Sequence, residues 1–340
     1  MMTPANDPIH VISADEADMI ENLTLKLAQQ YSGPEDEELL RELPVIAADL
    51  PVAQRRYIRN FALDDHNGYC VIRGHKIDDE RIGDTPAHWR GRPTPSPEFA
   101  EEILMLLHGA LLGEPFAWRT QQDGRLVHDI FPIKGYETEQ MGIGSTELLT
   151  LHTEDAFHPY RADFLLLGCL RNLKGIASIV ADIRVDQLSD EHIDILMQDR
   201  FIIRPDDSHL AENNLTGHED GAKFSEIDRL KKDDVRVAVL WGDRSKPYIR
   251  IDPYFMEVPD DDPEAKEAFS AAEEMLERNV ADVVLEPGDI LIINNHRLAH
   301  GRRAFIASYD GRDRWLKRVS VTTDFRKSRA QRGLATARLI

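Results

Sequence analysis

Leu148-Leu149-Thr150-Leu151-His152-Thr153-Glu154-Asp155 is the run on which the reading of this 340-residue chain turns. It reads as a strand, and in a β-strand residues i and i+2 project from one face, so His152 and Glu154 stand side by side. An imidazole and a carboxylate so placed can grip one ion. The spacing alone says little: 13 His and 61 acidic residues give roughly two His-x-Asp/Glu pairs by chance. Three occur in the chain. His192/Asp194 lies in a run that reads as a helix capped by Ser189, where i and i+2 point to different sides. His218/Asp220 sits in the polar stretch 211–222, where nothing fixes two side chains in register. Only His152/Glu154 has strand context.

Outward from this run, residues 126–130, 164–170, 176–180, 235–240, 248–251, 289–293 and 315–322 read as short strands parted by turn residues such as Glu286-Pro287-Gly288-Asp289. Many short strands with such turns suggest a sandwich or jelly roll. The N-terminal part, about residues 1–115, is helical instead. Ser13 and Glu16 make a capping box ahead of Ile20, Leu23 and Leu27, and residues 98–112 form the most apolar helix. Between them Gly68-Tyr69-Cys70-Val71-Ile72-Arg73-Gly74 reads as a buried strand, and Trp89 pins the loop 84–97. The expected architecture is a single domain over 1–340, mainly β with flanking helices (α+β), its core at about 116–325. Two insertions interrupt the core: an amphipathic helix at 263–279, and residues 204–226, long and polar enough for a mobile lid. The basic tail from Lys327 reads as loose.

Bulk properties narrow the function. No apolar run approaches the roughly 18 residues that span a bilayer, and the N-terminus has neither a basic nor an apolar leader segment. A cytoplasmic protein is expected. Cys70 and Cys169 each sit in an apolar run and read as buried free thiols. The net charge of −20 would repel polyanions, so nucleic acid and anionic membrane are poor partners. A local acidic cluster would suit a cationic small molecule. Whether the chain forms a homo-oligomer is left open.

A second imidazole would complete the facial set of two His and one carboxylate found in non-haem Fe(II) sites. His296 and His300 both follow the strand 289–293. In this class of site an Arg on the next strand commonly holds the far carboxylate of 2-oxoglutarate, because a guanidinium fork matches a carboxylate bidentately. Arg314, 14 residues beyond His300, fits that spacing, whereas His296 would place Asp310 there. Taken singly, Arg314 and Arg318 also read as surface ion pairs, Gln121 and Asp252 as ordinary turn or edge residues, and Ser178 as a buried hydroxyl satisfying backbone.

Several blocks in order carry a resemblance. They are Thr120-Gln121-Gln122-Asp123-Gly124, His152-Thr153-Glu154-Asp155-Ala156-Phe157 with Pro159-Tyr160-Arg161-Ala162-Asp163, Arg204-Pro205-Asp206-Asp207-Ser208-His209, and His300-Gly301-Arg302 followed by Asp310-Gly311-Arg312-Asp313-Arg314-Trp315. From about residue 40 to about 328 the chain resembles the clavaminate-synthase-like Fe(II)/2-oxoglutarate oxygenases, in the free L-amino acid hydroxylase branch that includes the viomycin-pathway arginine β-hydroxylase. The resemblance implies a double-stranded β-helix (jelly-roll, cupin-like) core. It implies that His152, Glu154 and His300 bind the catalytic iron, and that Arg314 and Ser178 hold 2-oxoglutarate, with O2 as co-substrate. Arg318 then matches the residue for the substrate α-carboxylate, Gln121 that for the α-amino group, and Asp206 and Asp252 the acids facing a side-chain cation. Where the arginine enzyme has a second acid, this chain has Tyr254. A compact ammonium needs fewer acceptors than a guanidinium and can lie against an aromatic face, so the sequence favours hydroxylation of L-lysine at C3 or C4. L-arginine and L-citrulline are the alternatives, followed by a desaturase or cyclase of the same family and a non-catalytic jelly-roll binding module.

Overall fold

The computed structural model describes residues 8–63, 67–214 and 221–340. Its long strands carry apolar side chains on both faces because both faces are covered. In Phe164–Arg171, Phe164 and Leu166 pack on the N-terminal helices, while Leu165, Leu167 and Cys169 pack towards a second sheet. The neighbouring Ile290–Asn294 repeats the alternation, with Ile290 and Ile292 on the helix side and Leu291 and Ile293 on the other. This is the period of two expected of a strand between two layers.

These strands belong to a seven-stranded sheet. Its spatial order is Ile9–Val11, Tyr69–Arg73, Ile290–Asn294, Phe164–Arg171, Trp315–Thr322 and Glu114–Phe116, with His128–Ile130 also paired to Trp315–Thr322. Helices Ala14–Ala28, Glu37–Ile46, Val52–Leu63 and Phe99–Ala110 cover its back. The capping box at Ser13 forms, its N–H donating to Glu16 Oε2 at 2.8 Å. A four-stranded sheet, in the order Val280–Val283, Ser178–Asp182, Leu298–Arg302, Leu149–His152, faces the first across Val180, Val283 and Leu298. Its outer side, through Ile179, Ala181 and Ala299, packs on helices Asp190–Leu196 and Pro263–Arg278.

The closed double-stranded β-helix expected of the core is not what forms. The ladders are four separate open sheets of seven, four, three and two strands, and among the described residues no strand of one pairs with a strand of another. Face-to-face packing already buries the apolar positions, and at least one edge is capped by a side chain. Along Leu149–His152, Gln140 Nε2 donates to the Leu148 carbonyl at 3.0 Å and Gln140 Oε1 accepts the Thr150 N–H at 3.1 Å. An edge so satisfied has no need of another strand.

The tail from Lys327 is docked, not loose. Ile340 N–H donates to the Ala117 carbonyl at 2.9 Å, Leu339 bridges to Ala117, and Arg338 pairs with Glu114. Cys70 and Cys169 are buried free thiols, and Trp89 is buried. Of the expected lid, residues 215–220 lie outside the described residues, as does the pair His218/Asp220. Residues 207–209 and 211–213 form short 3-10 turns. Among the described residues no helix is long and apolar enough to cross a membrane.

Candidate active site

The site lies between the two large sheets. Leu298–Arg302 and Leu149–His152 are antiparallel neighbours, and their register places His300 directly opposite His152. The register shifts between His300 and Arg302, a bulge that re-aims side chains locally. Gly301 permits the close approach: a Cβ there would sit 2.3 Å from the Leu149 carbonyl oxygen. The imidazole rings end 4.4 Å apart, centroid to centroid. Glu154 follows the end of the strand, its backbone pinned by the buried Asn295, whose Oδ1 accepts the Glu154 N–H at 2.7 Å and whose Nδ2 donates to the Glu154 carbonyl at 3.1 Å.

The three side chains converge. Glu154 Oε2 lies 3.3 Å from His300 Nε2 and 3.8 Å from His152 Nε2, and one potential ligand atom from each lies within 4.8 Å of the others. His152 Nδ1 lies 2.8 Å from the Thr150 carbonyl; donating there leaves Nε2 as the free lone pair, the tautomer a metal needs. Two imidazole nitrogens and a carboxylate oxygen suit Fe(II) with positions left open. Charge within the trio is shared unevenly. Burial takes His300 down to about 4, and at His152 burial is outweighed by Glu154 and Asp252, which raise it to about 9, so without a metal His152 Nε2 carries a proton that a bound ion displaces. Burial would raise Glu154, but the Arg318 guanidinium and the two imidazoles hold it well below the usual carboxylate range.

The facing wall is the strand Trp315–Thr322 and the residue before it. Arg314, Leu316 and Arg318 alternate onto the pocket. Arg314 is buried; one amino group donates to Ser178 Oγ at 2.9 Å, its Nε has no partner, and among the described residues it makes no salt bridge. Burial lowers it to about 10, still fully cationic at neutral pH. A buried guanidinium without a counter-charge fits a carboxylate ligand. Arg318 donates to Glu154, to Gln121 Oε1 at 3.0 Å and to His128 Nδ1 at 2.8 Å. Burial, then Arg318, keeps His128 well below its ordinary pKa, hence neutral and able to accept.

At the other end stand the acids. Asp252 is buried, accepts the Tyr254 and Phe255 N–H groups at 3.2 and 3.3 Å, and is raised by burial to about 7. Asp206 lies on the same pocket and holds Ser208, whose Oγ accepts from Gln121 Nε2 at 2.6 Å. Tyr254 touches the pocket but is 58% exposed, so its ring sits at the mouth.

Every residue expected at the site is thus brought together, Gln121 through its bonds to Arg318 and Ser208. His296 is not: its Nε2 lies 2.7 Å from Asp163 in a different cavity. His192 and Asp194 lie on the helix Asp190–Leu196 and turn to Glu267 and Arg244 respectively. Sequence reasoning missed Asn295, Ser208 and Asp155. Asp155 takes a left-handed φ of 49° and accepts from Trp118 Nε1 and, at 3.3 Å, from Gln121 Nε2, with His209 Nε2 3.0 Å away. The block Asp206-Asp207-Ser208-His209 was the one available signal for Ser208 and His209.

Two imidazoles and a carboxylate that can hold a redox metal on one face, an anion anchor beside them and a patch of acids opposite are the equipment of an Fe(II)/2-oxoglutarate-dependent oxygenase whose substrate is a small free amino acid. The known relatives agree. Residues 62–320 match the taurine catabolism dioxygenase TauD, TfdA family. An L-ornithine/L-arginine 3-hydroxylase of Catenulispora acidiphila is 43% identical over 322 residues, 92% of this chain and 94% of the relative. Enduracididine beta-hydroxylase of Streptomyces hygroscopicus is 40% identical over 336 residues, covering 96% and 97%. The crystal structure of the non-heme iron oxygenase OrfP with Fe, succinate and (3S)-hydroxy-L-Arg superposes with a TM-score of 0.95 at 49% identity, over 98% of this chain and 99% of that one. The chain belongs to the TauD, TfdA dioxygenase family, and the resemblance to the clavaminate-synthase-like oxygenases is borne out.

Proposed function

We propose that this enzyme hydroxylates C3 of a free basic L-amino acid of the arginine and ornithine class, with iron held by His152, Glu154 and His300. The observation that carries the reading is the polarity of the pocket, with a buried guanidinium that has no counter-charge at one end, the buried Asp252 and half-buried Asp206 at the other, and the His–Glu–His cluster between. Bound Fe(II), with 2-oxoglutarate and O2, supplies the oxidative decarboxylation that releases succinate and CO2 and inserts one oxygen atom into a substrate C–H bond.

The chain's own groups bind and orient. Arg314 forks onto the far carboxylate of 2-oxoglutarate, with the Ser178 hydroxyl beside it. Arg318 takes the α-carboxylate of the amino acid, and Gln121 with Glu154 receives its α-amino group. The side-chain cation lies between Asp206 and Asp252; burial, and then the Asp206 carboxylate, raises the proton affinity of Asp252, and a cation between the two relieves that repulsion. Leu165, Leu167 and Leu316 line the pocket and limit water near the reacting carbon.

The preference for lysine read from Tyr254 is less well supported. A ring 58% exposed makes no enclosed aromatic face for an ammonium. Asp206 can stand in as the second acceptor for a guanidinium, and the L-ornithine/L-arginine 3-hydroxylase is the relevant relative. The test is incubation with Fe(II), 2-oxoglutarate and each of L-arginine, L-ornithine, L-lysine and L-citrulline, reading succinate and product mass. Succinate matched by a product one oxygen heavier, highest with arginine or ornithine, is expected. A product short of two hydrogens would mark desaturation or cyclisation instead, and no amino-acid-dependent succinate would overturn the reading.

A further inference from the structure

Behind the loop that carries Glu154 lies a second cavity, of about 550 Å³, sharing no residue with the catalytic pocket. Its charge runs against the rest of the molecule. The chain carries a net charge of −20, yet Arg161, Arg236, Arg250 and Lys327 line this cavity against Asp163, Asp199 and Asp324. Two of those acids are engaged elsewhere. Asp163 accepts from the Thr323 N–H at 2.6 Å and its hydroxyl at 2.8 Å, with His296 Nε2 2.7 Å away, and Asp324 accepts from Arg326 Nε at 2.8 Å.

The arginines have no such partners. Among the described residues neither Arg161 nor Arg250 makes a salt bridge. Arg161 Nε is buried without a hydrogen bond, and Arg250 reaches only the main-chain carbonyls of Ala156 and Phe157, the latter at 2.9 Å. Burial, then Arg161, brings Arg250 down to about 9 with Asp199 opposing, and burial brings Arg161 to about 10 with Asp163 opposing, so the acids present offset the two guanidinium groups only in part. Like charges held together and partly stripped of water are costly unless something offsets them. Beside them stands an aromatic wall. Trp241, 37% exposed, packs at 4.7 Å on Tyr248 and at 5.3 Å, edge-on, against His296, and Arg161 lies 6.0 Å from the Trp241 ring centre.

We propose that this cavity is a second ligand site, built for an organic anion whose carboxylate or phosphate head sits between Arg161 and Arg250 and whose planar body lies on Trp241. A guanidinium fork recognises either head group, and an exposed indole recognises a flat body. The site is independent of which amino acid the iron oxidises.

The experiment is anaerobic calorimetric titration of the iron-loaded full-length enzyme with benzoate and, separately, with AMP, alongside tryptophan fluorescence. One equivalent of at least one probe should bind and quench fluorescence; the probe that binds identifies the head group as carboxylate or phosphate. Binding should weaken about tenfold or more in Arg161→Gln, because a charge-assisted contact is lost. It should weaken also in Trp241→Ala, a change at an exposed ring that leaves the fold standing if Arg161→Gln does not. It should persist in Arg314→Gln, which removes the carboxylate anchor of the catalytic pocket. Failure of both probes to bind the unaltered enzyme overturns the proposal, as does binding that survives Arg161→Gln and Trp241→Ala, whether or not Arg314→Gln abolishes it.

Discussion

Asp252 and Arg314 mark the two ends of the catalytic pocket, and each makes a separable prediction. Burial raises the Asp252 carboxyl to about 7, so in the free enzyme it is neutral below that pH and charged above it. A cationic side chain needs the charged form, so kcat/KM for arginine, which reports free-enzyme groups, should fall as pH drops through about 7. Turnover of neutral citrulline should not follow that limb, and Asp252→Asn should flatten the arginine profile while raising its KM. A pH–rate comparison of the two substrates checks this. Arg314 differs because it has no acid to lose. Arg314→Gln should raise the KM for 2-oxoglutarate about tenfold or more, from the lost charge-assisted fork, while the melting temperature stays level or rises because an unpaired buried charge has gone. A fall in melting temperature with KM unchanged would make Arg314 structural. At this scale the sequence was legible in part: the spacing of two named His152 and Glu154 together, although the strand ends at His152 and Asn295 holds Glu154 in the turn beyond it, and alternation along Trp315–Thr322 and the residue before it put Arg314 and Arg318 on one face. Ser208 and Asp155 were not legible, because they act through contacts between segments that no local spacing encodes.

Among the elements, the tie between the turn after Ile290–Asn294 and the loop after Leu149–His152 matters most to the iron site. Asn295 is fully buried, accepts the Glu154 N–H and donates to the carbonyls of Glu154 and Ala162, the latter at 2.9 Å. Removing its amide in Asn295→Ala strands three main-chain groups, at about 1–3 kcal/mol for each that water cannot reach. Fe(II) affinity should fall about ten- to hundredfold, as when other groups that orient a ligand are lost, and the melting temperature should drop with it. Anaerobic Fe(II) titration read against thermal unfolding separates the two effects. Affinity unchanged in a folded variant would show that Glu154 is held by its side-chain contacts instead. Element by element the sequence was a good guide. The helices at 98–112 and 263–279 stand as Phe99–Ala110 and Pro263–Arg278, and the strand bounded by Gly68 and Gly74 as Tyr69–Arg73. The docked tail was missed because its basic composition suggests solvent, whereas Arg332 spends its donors on the carbonyls of Phe325, Ala335 and Ala337.

For the whole molecule, alternation along a strand says which faces are buried but not which edges meet, so a closed core was inferred where two open sheets stack face to face. What joins the layers is a different kind of contact, centred on Lys317. It sits between Arg318 and Leu316 on the strand that walls the active site but points the other way. Its Nζ lies 2.7 Å from Glu98, 2.9 Å from Glu102 and 2.6 Å from Asp129, all fully buried. Glu102 belongs to the helix Phe99–Ala110, so one ammonium fastens the helical layer to the seven-stranded sheet. Lys317→Met should cost about 3–5 kcal/mol, because it leaves three carboxylates buried around an apolar side chain, with Arg92 the remaining cation on Glu98 and, at 3.6 Å, on Asp129. The sign with pH follows from that crowding. Burial already raises the Glu102 carboxyl against the pull of Lys317, which also holds Asp129 below its ordinary range; without Lys317 both rise, so the variant's stability is greatest in acid and is lost as pH rises through them. Its deficit against the unaltered enzyme should therefore be smaller near about pH 5 than near about pH 8, whereas loss of a surface ion pair, whose carboxylate stays ionised at both, gives a small deficit that hardly changes between them. Denaturant titrations at the two pH values measure it. Because Arg314 and Arg318 project from the opposite face, the KM for 2-oxoglutarate of the folded fraction should hardly move. A raised KM at a temperature where the variant is fully folded would mean that the buried cluster also sets the register of the strand presenting those arginines.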